Sequence, residues 1–101
     1  MADLPIVCSL TPDALEARRQ GLLSELLHQS SRDEFLEDGL RLQFNPSSDT
    51  MATLARAVES ERRCCRFLRF TITFEPDGGA MTLDLTGPPG TRDFMAAMLE
   101  L

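Results

Sequence analysis

The feature that most constrains the fold is an alternation of side chains interrupted by a strong turn signal. Leu68, Phe70, Ile72 and Phe74 alternate with Arg69, Thr71, Thr73 and Glu75, and beyond Pro76-Asp77-Gly78-Gly79 the alternation resumes with Met81, Leu83 and Leu85. Period two sends successive side chains to opposite faces of a strand, so the pattern specifies an antiparallel hairpin with one apolar face. A second such pattern lies within residues 33–45, where Leu40, Leu42 and Phe44 alternate with Arg41, Gln43 and Asn45. Asp38-Gly39 is expected to supply the positive φ values of its tight turn. Two hairpins with one apolar face each need cover, and segments of helical spacing provide it.

Thr11-Pro12 is an N-cap followed by proline at the first helical position, and Leu15, Leu22, Leu23, Leu26 and Leu27 then recur at helical intervals as far as about Gln29. Pro46-Ser47-Ser48-Asp49 opens a second helix, with an expected inner stripe of Met51, Leu54, Ala55, Val58 and Cys65 and an end near Cys65. Gly87-Pro88-Pro89-Gly90 breaks the last strand, Thr91 is a candidate cap, and Phe94, Met98 and Leu101 belong to a short final helix. Residues 5–10 read as a short leading strand.

The resulting order is β-α-β-β-α-β-β-α, an α+β fold with an antiparallel-rich sheet backed by helices, in a single domain over residues 1–101 with no repeat or linker. Two arrangements satisfy it. The first six elements match a ferredoxin-like plait, here with an extra strand and a C-terminal helix; residues 5–10 then lie inside the sheet and bring Cys8 toward Cys64 and Cys65. The alternative is a pair of hairpin-plus-helix units, residues 33–65 and 67–101, with the first helix packed outside.

Composition narrows the function classes. The chain has 101 residues, 43% of them hydrophobic, and sixteen acidic residues against ten basic ones give a formal charge of -6. Nucleic-acid binders need cationic surface to displace counterions, so nucleic acid is not expected as a partner. All ten basic residues are arginine, which removes Schiff-base and Walker-type lysine chemistry and, with the Ala and Leu content, suggests a GC-rich bacterial source. No segment approaches the ~20 apolar residues of a membrane span, and the N-terminal stretch has no secretory pattern. Cys8, Cys64 and Cys65 are odd in number, and the adjacent pair, about 3.8 Å apart between Cα atoms, is too close for an unstrained disulfide. Reduced thiols in the cytoplasm are the expectation.

Residues 61–70, Glu61-Arg62-Arg63-Cys64-Cys65-Arg66-Phe67-Leu68-Arg69-Phe70, concentrate the reactive groups. Glu61 precedes Cys64 by three and Cys65 by four, so on a helix the three side chains share one flank. A soft-metal or thiol-reagent site follows from the chemistry, because thiolates match zinc, cadmium, mercury, copper(I) and arsenic(III). Cys8, Cys64, Cys65 and Glu61 are the candidate ligands, three sulfurs being enough for a trigonal site. Arg62, Arg63, Arg66 and Arg69 flank the pair as candidate anion or partner contacts and favour thiolate, whereas the carboxyl end of a helix opposes it. Residues 62–74 hold these four arginines and no acid, so a local charge of +4 sits in a chain whose remainder carries -10. The competing readings are that Cys65 packs in the core, that Glu61 pairs with Arg62 or Arg69, and that His28 serves the end of its helix as a dipole partner. A thiol enzyme is disfavoured by the absence of Cys-x-x-Cys and of a histidine placed near the thiols. An interaction module, or a homodimer covering leftover apolar surface, is the remaining class.

Ile6-Val7-Cys8-Ser9-Leu10-Thr11, the block Glu61-x-x-Cys64-Cys65-x-Phe67-x-x-Phe70 and the run Leu85-Thr86-Gly87-Pro88-x-Gly90-Thr91 resemble small bacterial proteins similar to domains appended behind the DNA-binding part of some MerR-type heavy-metal regulators. The resemblance spans nearly the whole chain, and Cys8 with the Glu-x-x-Cys-Cys-x-Phe block is its most specific part. It implies an effector-domain-like protein without its own helix-turn-helix, with Cys8, Cys64 and Cys65 as candidate ligands. Arg66 stands where such relatives carry proline, so the turn after the pair differs here.

Overall fold

The computed structural model describes residues 22–99, except for the side chains of residues 22–24 and of Cys64. The expected strand at residues 5–10, the first part of the first helix with Leu15, Cys8 and Leu101 lie outside the described residues. The elements in chain order are α1 (Leu22–Gln29), β1 (Arg32–Leu36), β2 (Gly39–Phe44), α2 (Ser48–Cys64), β3 (Arg69–Phe74), β4 (Met81–Thr86) and α3 (Thr91–Leu99). The α+β class, the antiparallel sheet and, from the first helix onward, the element order are as expected.

The four strands form one sheet in the order β1-β2-β4-β3, antiparallel throughout. Each hairpin is followed by a helix, and the hairpins join through their second strands, with Gly39 opposite Thr86 and Phe44 opposite Met81. β2 and β4 thus have strand neighbours on both sides, which closes the plait position to residues 5–10; the sheet has the arrangement of two hairpin-plus-helix units. The physical reason is the side-chain match across the join. Leu40 faces Leu85, Leu42 faces Leu83 and Phe44 faces Met81, so pairing these strands fuses the two apolar faces into one. All six side chains are buried, together with Leu26, Leu54, Met95 and Met98 from the covering helices.

Several local expectations are corrected. The first turn is formed by Glu37 and Asp38, neither of which has positive φ; Gly39 already belongs to β2 and has no positive φ. What requires glycine there is space, since a Cβ would fall far inside van der Waals contact of the Leu85 carbonyl oxygen. The second turn does use the left-handed region, at Asp77 (φ 58°) and Gly78 (φ 69°), a conformation that aspartate and glycine tolerate. In α2, Met51 and Ala55 are exposed, and the buried face is Thr53, Leu54, Ala57, Glu61 and Cys65, with Val58 half-buried. The inner face contains polar residues, so a stripe drawn through apolar positions alone is rotated away from it. On β3, Ile72 and Phe74 share the core-side face with Leu83 and Met81 but remain 41% and 58% exposed. Thr91 does not cap α3. It is fully buried, and its Oγ1 and backbone N–H both donate to the Pro88 carbonyl, at 2.7 and 3.1 Å, while Gly90 accepts the first helical bond from Phe94.

Candidate functional site

The helix that carries the cysteine pair is fixed at both ends. The Ser47 hydroxyl accepts from the Thr50 amide at 3.0 Å and donates to the Thr50 hydroxyl at 2.8 Å, which caps the N-terminus. At the other end Cys65 is the C-cap, and its backbone N–H donates to the Glu61 carbonyl at 2.7 Å. The chain then turns through Arg66 and Phe67, with the Leu68 amide on the Cys65 carbonyl at 3.1 Å, and enters β3. Phe67 anchors this turn edge-to-face against Phe94 of α3, ring centroids 5.0 Å apart.

The i, i+4 spacing of Glu61 and Cys65 brings their side chains together inside the protein. The Cys65 thiol donates to Glu61 Oε2 at 3.6 Å, with Glu61 2% exposed and Cys65 fully buried. A soft or borderline ion ligated tetrahedrally by one sulfur at ~2.3 Å and one oxygen at ~2.0 Å would set those donors about 3.5 Å apart, so the pair fits two positions of one coordination shell. Cys64 is the last residue of α2, immediately before Cys65. Among the described residues no group of three or more His, Cys, Asp or Glu side chains is gathered in a way that could hold a metal ion. Completion of the expected site therefore depends on Cys64 and Cys8, whose side chains lie outside the described residues.

The arginines that are neighbours in sequence are separated in space. Arg62 and Arg63 are exposed on α2 and converge on Glu59, at 3.8 and 2.6 Å. Arg66 is exposed in the turn, and Arg69 stands opposite Thr86 on the sheet face that points away from the helices. The local charge of +4 is therefore distributed over the two sides of the molecule. His28 is exposed in the last turn of α1, as a helix-end partner would be.

Two features were not anticipated. Arg69 borders an open hollow of about 430 Å³ with Phe67, Thr86, Gly87, Pro88 and Pro89; the Gly-Pro-Pro-Gly run was its only signal in the sequence. The outer sheet face carries a row of charge, Glu34, Arg41 and Asp84, on three adjacent strands. Arg41 binds Asp84 in a fork, Nε to Oδ1 at 2.8 Å and Nη2 to Oδ2 at 3.0 Å, and reaches Glu34 at 3.3 Å. The hydrogen bond and charge of Asp84, with Glu34 adding, hold the Arg41 guanidinium protonated well above its ordinary range. The alternation of these residues with Leu40, Leu42, Leu83 and Leu85 was the cue that could have found it.

Fold and site together define an α+β protein of paired hairpin-helix units with a buried carboxyl-thiol pair at a helix end. No protein-family model matches the chain. No curated protein and no solved structure matches it at significance. No helix among the described residues is long and apolar enough to cross a membrane.

Proposed function

We propose that the protein binds a soft metal ion or a thiol-reactive ligand through Cys65, Cys64 and Glu61, with Cys8 as the further sulfur. The observation that carries this reading is the 3.6 Å separation of Cys65 Sγ and Glu61 Oε2, which suits two donors of one ion, next to a second cysteine. Mixed sulfur and oxygen donors suit borderline ions such as zinc and cadmium, and adding the other two thiols extends the range to mercury, copper(I) and arsenic(III). The bound ion would neutralise the carboxylate and thiolates and tie the end of α2 to its surroundings. Sulfur must lose its proton to bind, so affinity should rise with pH. Such thiols need reducing surroundings, in keeping with a cytoplasmic protein.

Titration of the reduced chain with cadmium, read by sulfur-to-metal charge-transfer absorption, tests the proposal. One equivalent should bind, Glu61→Gln should weaken binding roughly 10–100-fold, and Cys64→Ser or Cys65→Ser should weaken it further. Binding that is unchanged in both serine variants overturns it.

Complete burial of Cys65 favours a second reading, a non-catalytic interaction or dimerisation module whose cysteines pack in the core. On that reading cadmium has no thiolate band, and the molecular mass in solution is that of a homodimer.

A further inference from the structure

Among the described residues β3 is an edge strand, and the hairpin fixes which of its backbone groups face outward. The Glu75 amide donates to the Ala80 carbonyl at 3.1 Å, so these two residues form a hydrogen-bonded pair one step beyond Phe74 and Met81. Such pairs alternate along an antiparallel ladder, and Thr73, Thr71 and Arg69 therefore turn their N–H and C=O groups toward β4. Phe70, Ile72 and Phe74 turn theirs outward, and no described strand receives them. The apolar rows that cross the sheet end on this strand: Leu42, Leu83 and Ile72 form one, and Phe44, Met81 and Phe74 the next. Ile72 and Phe74 remain about half exposed.

The other edge is built to stay single. β1 presents Arg32, Asp33 and Glu34 along its length, and Asp33 lies opposite Leu42 on the core-side face, so a charge is aimed inward. Phe35 on that face is covered by the Arg92 guanidinium, 5.1 Å from the ring. Inward charges and short charged edges prevent further strands from adding. β3 has neither device: after Arg69 it reads Phe70-Thr71-Ile72-Thr73-Phe74 and pairs with β4 in unbroken register.

We propose that two copies of the protein join along β3, antiparallel about a two-fold axis perpendicular to the sheet, with Ile72 of one copy opposite Ile72 of the other. An axis in that direction keeps the helix layers of both copies on one face, so each residue must meet one of the same alternation. Centring it on Ile72 sets Phe70 opposite Phe74 and Thr71 opposite Thr73 of the second copy. All the outward N–H and C=O groups of Phe70, Ile72 and Phe74 then find partners, and the exposed Ile72 and Phe74 side chains close against the second copy's apolar row. The same register sets Arg69 opposite Glu75 at both ends of the interface, in the pairs whose side chains stand closest. Among the described residues neither of these charges is in an ion pair. Centring the axis on Thr71 or Thr73 instead loses the Arg69–Glu75 match and carries Phe74 or Phe70 past the end of the facing strand.

The edge is thus complementary to itself. An unrelated extended segment matches it only by carrying an acid, alternating apolar residues and a base at the corresponding positions. Edge pairing covers far fewer residues than the ~20–30 a side of a standard interface, so the dimer is reversible and depends on concentration. The interface contains no thiol; the cadmium band, rather than the mass, therefore separates the two readings of the cysteines.

Sedimentation equilibrium of the full reduced chain without metal tests the proposal. Between micromolar and millimolar concentration the mass should rise from 11.2 kDa toward twice that value. In a mixture of isotope-labelled and unlabelled copies, nuclear magnetic resonance should show an intermolecular Hα contact between Thr71 and Thr73, and exchange of the Phe70, Ile72 and Phe74 amides should slow as concentration rises. Ile72→Lys opposes two ammonium groups at the axis and should abolish the dimer. Glu75→Arg, on the exposed outer face, should weaken association at least ~10-fold, and adding Arg69→Glu should restore it. A monomer at every concentration would leave the edge to another protein and overturn the proposal. Slow exchange of the three amides regardless of concentration, intermolecular contacts elsewhere, or association unaltered by both Ile72→Lys and Glu75→Arg would also overturn it. The labelled mixture uses the unaltered chain, so its result stands even if a variant fails to fold.

Discussion

At the scale of single residues, the join between the two units depends on one missing methyl group. Gly39 begins β2 opposite Thr86, and the Leu85 carbonyl occupies the space where a Cβ would stand. Both partners are backbone of central strands, so no flexible side chain can give way. Gly39→Ala should therefore destabilise the protein by about 1–3 kcal/mol, the cost of overpacking a well-filled interior, seen as a lower urea midpoint with an unchanged slope. Stability within ~0.5 kcal/mol of the parent would show that the strands separate at this point without penalty. Residue identity alone did not reveal this role. Asp-Gly is read as a turn signal, and whether its glycine is needed for φ or for space depends on the strand that lies across from it.

At the scale of elements, the cap of α2 controls the helix that carries the candidate ligands. Ser47 accepts the Thr50 amide, and replacing it by alanine leaves that donor to water; Ser47→Ala should cost about 1 kcal/mol in urea denaturation. No loss would mean that the first turn frays without consequence for the core. Both ends of this helix were legible, from the Pro-Ser-Ser-Asp run and from the change to period two after Cys65. Its inner face was not, because Thr53, Ala57 and Glu61 are buried there while Met51 is exposed. The same helix explains which part of the site could be read in advance. Glu61 and Cys65 are separated by four residues within one helix, a spacing that fixes their proximity whatever the rest of the chain does. The arginines straddle the passage from helix to strand, where periodicity changes from 3.6 to 2, so their sequence neighbourhood carried no spatial meaning.

At the scale of the whole molecule, the sheet links two similar units, and the link has two faces with different physics. On the helix side it is leucine, phenylalanine and methionine; on the outer side it is the forked contact from Arg41 on β2 to Asp84 on β4. Two parallel hydrogen bonds fix the guanidinium more firmly than a single surface contact would, and Glu34 adds a second acid from β1. The strand order was recoverable only as one of two arrangements, because hairpins are local whereas the join between them depends on residues 37 to 47 positions apart. The outer face offers a test of that join that depends on pH. A guanidinium whose folded pKa is raised contributes stability that is present below its unfolded pKa, itself far into the basic range, and that is lost only as the pH rises through the still higher folded value. The contribution must then be flat across the ordinary range. Arg41→Met should lower the urea midpoint by the same amount at about pH 7 and about pH 10, and by less in concentrated salt, where the Debye length falls to about 3 Å at 1 M. A gap between parent and variant that closes as the pH rises to about 10 would assign the stabilisation to some other group than the arginine that spans the two hairpins.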